Sequence, residues 1–136
     1  MIGLDTNVLV RYIMQDDAHQ SALAGALIES LSPQAPGYVP LAVVVELGWV
    51  LASAYSLERA QVAQALEILL RTKELVTENA EVVWQAVRLY RSTSADYADC
   101  LIHCAATAAH CTQTMSFDRA AVKHCGMTLV GASPAG

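Results

Sequence analysis

Met1-Ile2-Gly3-Leu4-Asp5-Thr6-Asn7 is a short apolar run that stops abruptly at three polar residues. Directly after it, Val8, Leu9, Tyr12 and Ile13 recur at helical spacing. The stretch therefore reads as a buried strand, a sharp turn, and a helix opened by a Thr or Asn cap. The rest of the chain alternates in the same way. A second helix is expected from Asp17 to Leu31, with Ala22, Leu23, Ala26, Leu27 and Leu31 on its inner face. Ser32-Pro33-Gln34-Ala35-Pro36-Gly37 is a break. Tyr38-Val39 forms a short strand, and Pro40 stands at the start of the next helix.

That helix, Leu41 to Tyr55, is apolar nearly all round, which predicts burial. Ser56 is expected to cap a helix reaching Leu70, and Glu74-Leu75-Val76 to form a strand. Asn79 opens a helix to Tyr90, and Asp96 another through Ala109. Cys111 to Met115 reads as extended, Asp118 starts a short helix, and Thr128-Leu129-Val130 closes as a strand. Short apolar strands alternating with helices predict an α/β fold, its parallel sheet covered on both faces. No repeat, low-complexity tract or linker divides the chain. A single domain over residues 1–131, with a loose tail at 132–136, is the expectation.

An apolar fraction of 54% against 15% charged residues places the chain far from the disordered regime. The longest apolar run, Leu41 to Leu51, is interrupted by Glu46 and Gly48 and falls short of the roughly eighteen residues a membrane helix needs. No basic stretch precedes a long apolar run at the amino terminus, so a cytoplasmic location without membrane attachment is expected. Cys100, Cys104, Cys111 and Cys125 form no CxxC pair. Their spacing with His103, His110 and His124 fits no familiar closed zinc pattern, so free thiols are expected.

The net charge of −5 argues against a binder that grips phosphates through a basic face. An enzyme that gathers acids around metal ions is the exception, because bound cations reverse the local sign. Asp5 is the first residue past strand one, the end of a parallel strand where sites form. Glu46 is embedded between Leu41-Ala42-Val43-Val44-Val45 and Leu47-Gly48-Trp49-Val50-Leu51, and no Lys or Arg occurs between Arg11 and Arg59. A carboxylate buried there would need a partner or a cation. In Asp96-Tyr97-Ala98-Asp99, Asp96 reads as the helix cap and Asp99 as the inward acid. Asp118 suits a cap and a ligand equally well. Four such acids in a charge-poor chain suit phosphodiester cleavage assisted by Mg²⁺ or Mn²⁺, which favour hard oxygen ligands and can activate water. The absence of a Gly-rich phosphate loop and of GxSxG disfavours a nucleotide triphosphatase or a serine hydrolase.

Four stretches carry a family resemblance. They are Met1-Ile2-Gly3-Leu4-Asp5-Thr6-Asn7-Val8-Leu9-Val10-Arg11-Tyr12, Val44-Val45-Glu46-Leu47, Asp96-Tyr97-Ala98-Asp99-Cys100-Leu101-Ile102 and Ser116-Phe117-Asp118. In order and spacing they resemble the motifs of PIN-domain proteins, specifically the VapC-type toxin ribonucleases of toxin–antitoxin pairs. The resemblance implies a three-layer α/β/α domain with a central parallel sheet of four to five short strands. It implies endonucleolytic RNA cleavage dependent on Mg²⁺ or Mn²⁺, with Asp5, Glu46, Asp99 and Asp118 as the metal-binding acids. Asn7 and Ser116 match polar positions that orient acids or water; Ser116 stands where Thr is frequent. A homodimer and a cognate antitoxin protein are implied as well.

Arg11 and Arg119 are the bases placed to meet RNA or the antitoxin. Trp49 and Trp84 read as core residues, and His103 as a hydrogen-bonded interior histidine. Two rival readings are a noncatalytic PIN-like binding protein and an RNA- or DNA-processing nuclease outside toxin–antitoxin systems. The retained acids argue against the first, and the short chain against the second.

Overall fold

The computed structural model describes residues 1–131, and the expected tail at 132–136 lies outside the described residues. In chain order it runs β1 (Ile2–Gly3), α1 (Thr6–Met14), α2 (Ala18–Glu29), β2 (Gly37–Val39), α3 (Leu41–Ser53), α4 (Arg59–Arg71), β3 (Leu75–Thr77), α5 (Ala80–Ser92), α6 (Tyr97–Ala108), β4 (Met115–Ser116), α7 (Arg119–Cys125) and β5 (Thr128–Leu129). The fold is α/β and every ladder among the described residues is parallel, as the alternating pattern predicts. β1, β2 and β3 bond in that order, and β4 pairs with β5. Contacts gather the chain into two compact units, Met1–Ala80 and the residues from Glu81 onward.

In the first unit β2 is the central strand, pairing Gly37 with Ile2 on one side and with Leu75 on the other. Gly37 is buried here for a steric reason. A Cβ built on it would lie 2.7 Å from Leu4 Cδ1, 3.0 Å from Leu31 Cδ1 and 3.1 Å from Leu75 Cδ2. Helix α1 packs on α2 and α3, and α3 packs on α4. Leu9, Val39, Val44, Leu47, Leu51, Val62 and Leu66 are fully buried. Strand β1 is an edge strand whose Ile2 is exposed, so only Leu4 of the opening run is buried as expected.

Two helices turn differently from the expectation. The buried residues of α2 are Ser21, Ala24 and Ile28, while Ala22, Leu23 and Ala26 face outward. Small and apolar residues occur all round this helix, so hydrophobicity alone does not choose its face. In α3 the buried set is Val43, Val44, Leu47, Gly48 and Leu51. Val45, Glu46 and Trp49 are exposed, so the helix buries one face rather than all of its surface. The cap of α4 is Glu58, in a reciprocal box with Gln61, and not Ser56, which lies in the left-handed region at φ 54°.

In the second unit α6 packs on α7, and α7 on the β4–β5 ladder. Val83, Ala86, Val87, Tyr90, Tyr97, Cys100 and Leu101 are buried. The Tyr90 and Tyr97 rings meet edge to face, centroids 5.6 Å apart. All four cysteines are free, with Cys100, Cys104 and Cys125 buried and Cys111 exposed. The segment expected to be extended from Cys111 contributes only Met115–Ser116 to a strand. No helix among the described residues is long and apolar enough to cross a membrane.

Candidate active site

Three of the acids singled out by the sequence close helices at their amino ends. Asp5 caps α1, its Oδ1 accepting from the Thr6 N–H at 2.8 Å. Asp96 caps α6, accepting from Ala98 N at 2.9 Å and Asp99 N at 3.4 Å. Asp118 caps α7, accepting from Ala120 N at 2.8 Å and Ala121 N at 3.2 Å. The cap of α1 is thus Asp5 itself rather than Thr6 or Asn7. Capping and ligation are compatible, because each of these bonds is to Oδ1 and a carboxylate carries two oxygens. The cap fixes the side chain's direction, and Oδ2 is left to do chemistry.

Asp5 and Asp118 also share a place in the fold, each lying just beyond the carboxyl end of a parallel strand. Ser116, the last residue of β4, reinforces the turn: its Oγ accepts from the Asp118 backbone N–H at 2.9 Å. Asn7 is exposed in the first turn of α1.

Asp99 is the one acid of the second unit that is half-buried. Its carboxyl titrates above the usual carboxylate range, first because it is drawn out of water and then because of the negative charges of Asp96 and Asp118. No cation contributes to that balance. Together with burial, the same three acids help to push the Cys125 thiol up, against a hydrogen bond with Cys100 that works the other way. Asp96, Asp99 and Asp118 therefore lie within one another's field, and the sequence assignment of Asp96 as cap and Asp99 as inward acid holds for their positions.

Glu46 is where the structure departs from the reading of the sequence. It lies on the exposed side of α3, so no buried partner is required to satisfy it. Trp49, one turn on, is 67% exposed and is not a core residue; Trp84 is half-buried. His103 is half-buried, but its Nδ1 is sealed from solvent with no hydrogen-bond partner among the described residues, in place of the expected interior bond.

Arg11 is engaged locally. Its Nε donates to Gln20 Oε1 at 2.7 Å, and its Nη1 to Asp16 Oδ1 at 3.1 Å and to the Tyr55 hydroxyl at 3.1 Å. Tyr55 in turn donates to Asp16 Oδ2 at 2.7 Å. Alongside lies a cavity of about 290 Å³ lined by Asn7, Val8, Arg11, Gln20, Leu23, Ala24 and Leu27. The sequence reading missed this cavity, although Gln20, Leu23, Ala24 and Leu27 stand on one face of α2 at helical spacing. Arg119 is exposed beside Asp118.

Among the described residues, no group of three or more His, Cys, Asp or Glu side chains is placed to hold a metal ion. The donors nevertheless suit a hard divalent cation, since Mg²⁺ is commonly held by one or two carboxylates with water completing its shell. Asp99 and Asp118, acting on each other without a counter-ion, are such a pair.

No curated protein matches the chain. The model of the PIN domain matches residues 2–126, which takes in every acid discussed above. The chain belongs to the PIN-domain family, whose members are typically nucleases.

Proposed function

We propose that the protein is a metal-dependent endoribonuclease, the toxin of a VapC-type toxin–antitoxin pair, and that its two units make up one PIN domain. The observation that carries this reading is the half-buried Asp99, beside Asp118 and Asp96, with charges of its own sign around it and no cation among them. Carboxylates held close without a counter-ion repel one another, and a bound divalent cation would turn that repulsion into attraction.

Mg²⁺ or Mn²⁺ is the proposed cofactor. When bound, it would supply positive charge for an attacking water and for the oxygen that departs from phosphorus. The family pattern assigns its binding to Asp5, Glu46, Asp99 and Asp118. The chain's own part is orientation. Backbone N–H groups at the start of α1 and α7 hold one oxygen of Asp5 and of Asp118, and Ser116 steadies the turn that carries Asp118. Asn7 is proposed to support Asp5 from the first turn of the same helix. Arg119 is the proposed contact for the RNA backbone. Arg11, already bonded to Asp16 and Tyr55, suits a fixed contact with the antitoxin better than a mobile grip on phosphate. A homodimer in the cytoplasm complements this reading.

The test is cleavage of RNA by the purified protein with Mg²⁺ or Mn²⁺, with EDTA, and by an Asp5→Asn variant. Asparagine keeps the oxygen that caps α1 and removes only the charge. Cleavage is expected with the metals and lost in EDTA and in the variant. Cleavage that survives EDTA, or that Asp5→Asn leaves undiminished, overturns the proposal.

A further inference from the structure

Phe117 is the chain's one phenylalanine, and at 79% exposure it is the most open large apolar side chain among the described residues. It stands between Ser116, the last residue of β4, and Asp118, the cap of α7. A ring this open costs free energy in water unless something covers it in use. Its surroundings in the chain are charged rather than apolar: Asp118 and Arg119 follow it, both exposed. One helical turn beyond Arg119 is Lys123, also exposed and on the same face of α7. A lone aromatic ring followed by two cations one turn apart does not form the continuous apolar face that a protein partner covers. It matches a nucleic-acid strand, in which flat bases alternate with phosphates.

We propose that Phe117 is a stacking platform for an unpaired RNA base, with Arg119 and Lys123 meeting the phosphates beside it. The inference rests on the ribonuclease reading and deepens it, for it names the form of RNA that the site takes. Bases in an A-form duplex are stacked on one another and closed to side chains, whereas loop and single-stranded bases can be splayed onto an aromatic ring. The substrate is therefore RNA with an unpaired base next to the bond that is cut.

The test compares binding of a fluorescent single-stranded RNA and of a duplex of the same sequence, by anisotropy in EDTA, with cleavage followed separately in Mn²⁺. The parent protein is expected to prefer the single strand. Phe117→Ala and Phe117→Leu should weaken single-strand binding by about 5- to 100-fold, the range of one base–aromatic stack, and leave duplex binding within about twofold. Phe117→Trp should retain binding. Arg119→Ala should weaken both forms and reduce the dependence on salt.

Equal binding by the parent and Phe117→Ala overturns the platform while leaving the ribonuclease reading intact. Full binding by Phe117→Leu overturns it too, because an apolar contact then suffices and a protein-docking residue becomes the better account. Loss of single-strand preference in Phe117→Ala, with RNA bound but never cut by the parent, keeps the platform and removes the ribonuclease. A parent protein that binds no RNA overturns both.

Discussion

Asp16 and Asp99 are the same residue in opposite circumstances. In the first unit Asp16 accepts from Tyr55 and from Arg11, and its carboxyl is held below the usual range, chiefly by the tyrosine hydroxyl. In the second unit Asp99 has lost part of its water and faces Asp96 and Asp118, so its carboxyl is pushed up. One charge has its partners built into the chain. The other is surrounded by more of the same sign, an arrangement a fold keeps when the partner comes from outside. The contrast separates a carboxylate that fastens structure from one that is poised for chemistry.

The comparison breaks most visibly in activity. Asp99→Asn is expected to cut metal-dependent RNA cleavage by at least about 100-fold, since even residues that only support a metal's ligands cost 10–100-fold when lost. Asp16→Asn should leave the rate within about twofold, and single-turnover cleavage assays distinguish the two. Next in size is the response to metal. Mg²⁺ or Mn²⁺ at about a hundred times its Kd should stabilise the parent by about 2.7 kcal/mol in thermal melts, and Asp16→Asn equally. Asp99→Asn should lose most of that gain, and an unchanged gain would detach Asp99 from the cation.

Asp96 sharpens the comparison further, because it both caps α6 and adds to the charge around Asp99. Asp96→Ala should cost about 0.5–2 kcal/mol in urea unfolding through the lost cap. Asp96→Asn keeps the cap oxygen and removes the repulsion, so it should match or exceed the parent in EDTA. The smallest effect is the most direct. Asp99 titrates higher folded than unfolded, so its favourable contribution is full in acid and disappears as pH rises through the folded value. Asp16 titrates lower folded than unfolded, so its contribution is present at neutral pH and is lost as pH falls. In EDTA, Asp99→Asn should therefore gain on the parent between pH 3 and 7, and Asp16→Asn should fall behind. Each margin is about 1–3 °C in Tm, the scale of an ordinary surface change.

The elements were legible wherever composition and spacing agreed. Pro40, Asp17, Asp96 and Asp118 all begin helices where the sequence places them, because a cap is a local bond between a side chain and the next turn. Facing was harder. Helix α2, with Leu23 outward and Ser21 inward, is apolar or small on every side, so its orientation is set by what packs against it. Glu46 shows the same limit at the candidate site. Apolar neighbours in sequence suggested burial, yet in a helix residues one apart point in different directions, and Glu46 falls on the outer side with Val45 and Trp49. The PIN resemblance was legible because its motifs are short and ordered. The field shared by Asp96, Asp99 and Asp118 was less so, since residues nineteen apart in sequence meet only through the packing of α6 on α7.

The glycine at the centre of the three-stranded sheet offers a practical handle. Leu4, Leu31 and Leu75 leave no room for a methyl at Gly37, and overfilling a packed site of this kind costs about 1–3 kcal/mol. Gly37→Ala would thus leave every acid, aromatic and arginine untouched while narrowing the margin between folded and unfolded chain. Such an allele would be a thermostat, active in a cool culture and silent in a warm one, which is the form in which a growth-arresting enzyme can be cloned, propagated and switched at will.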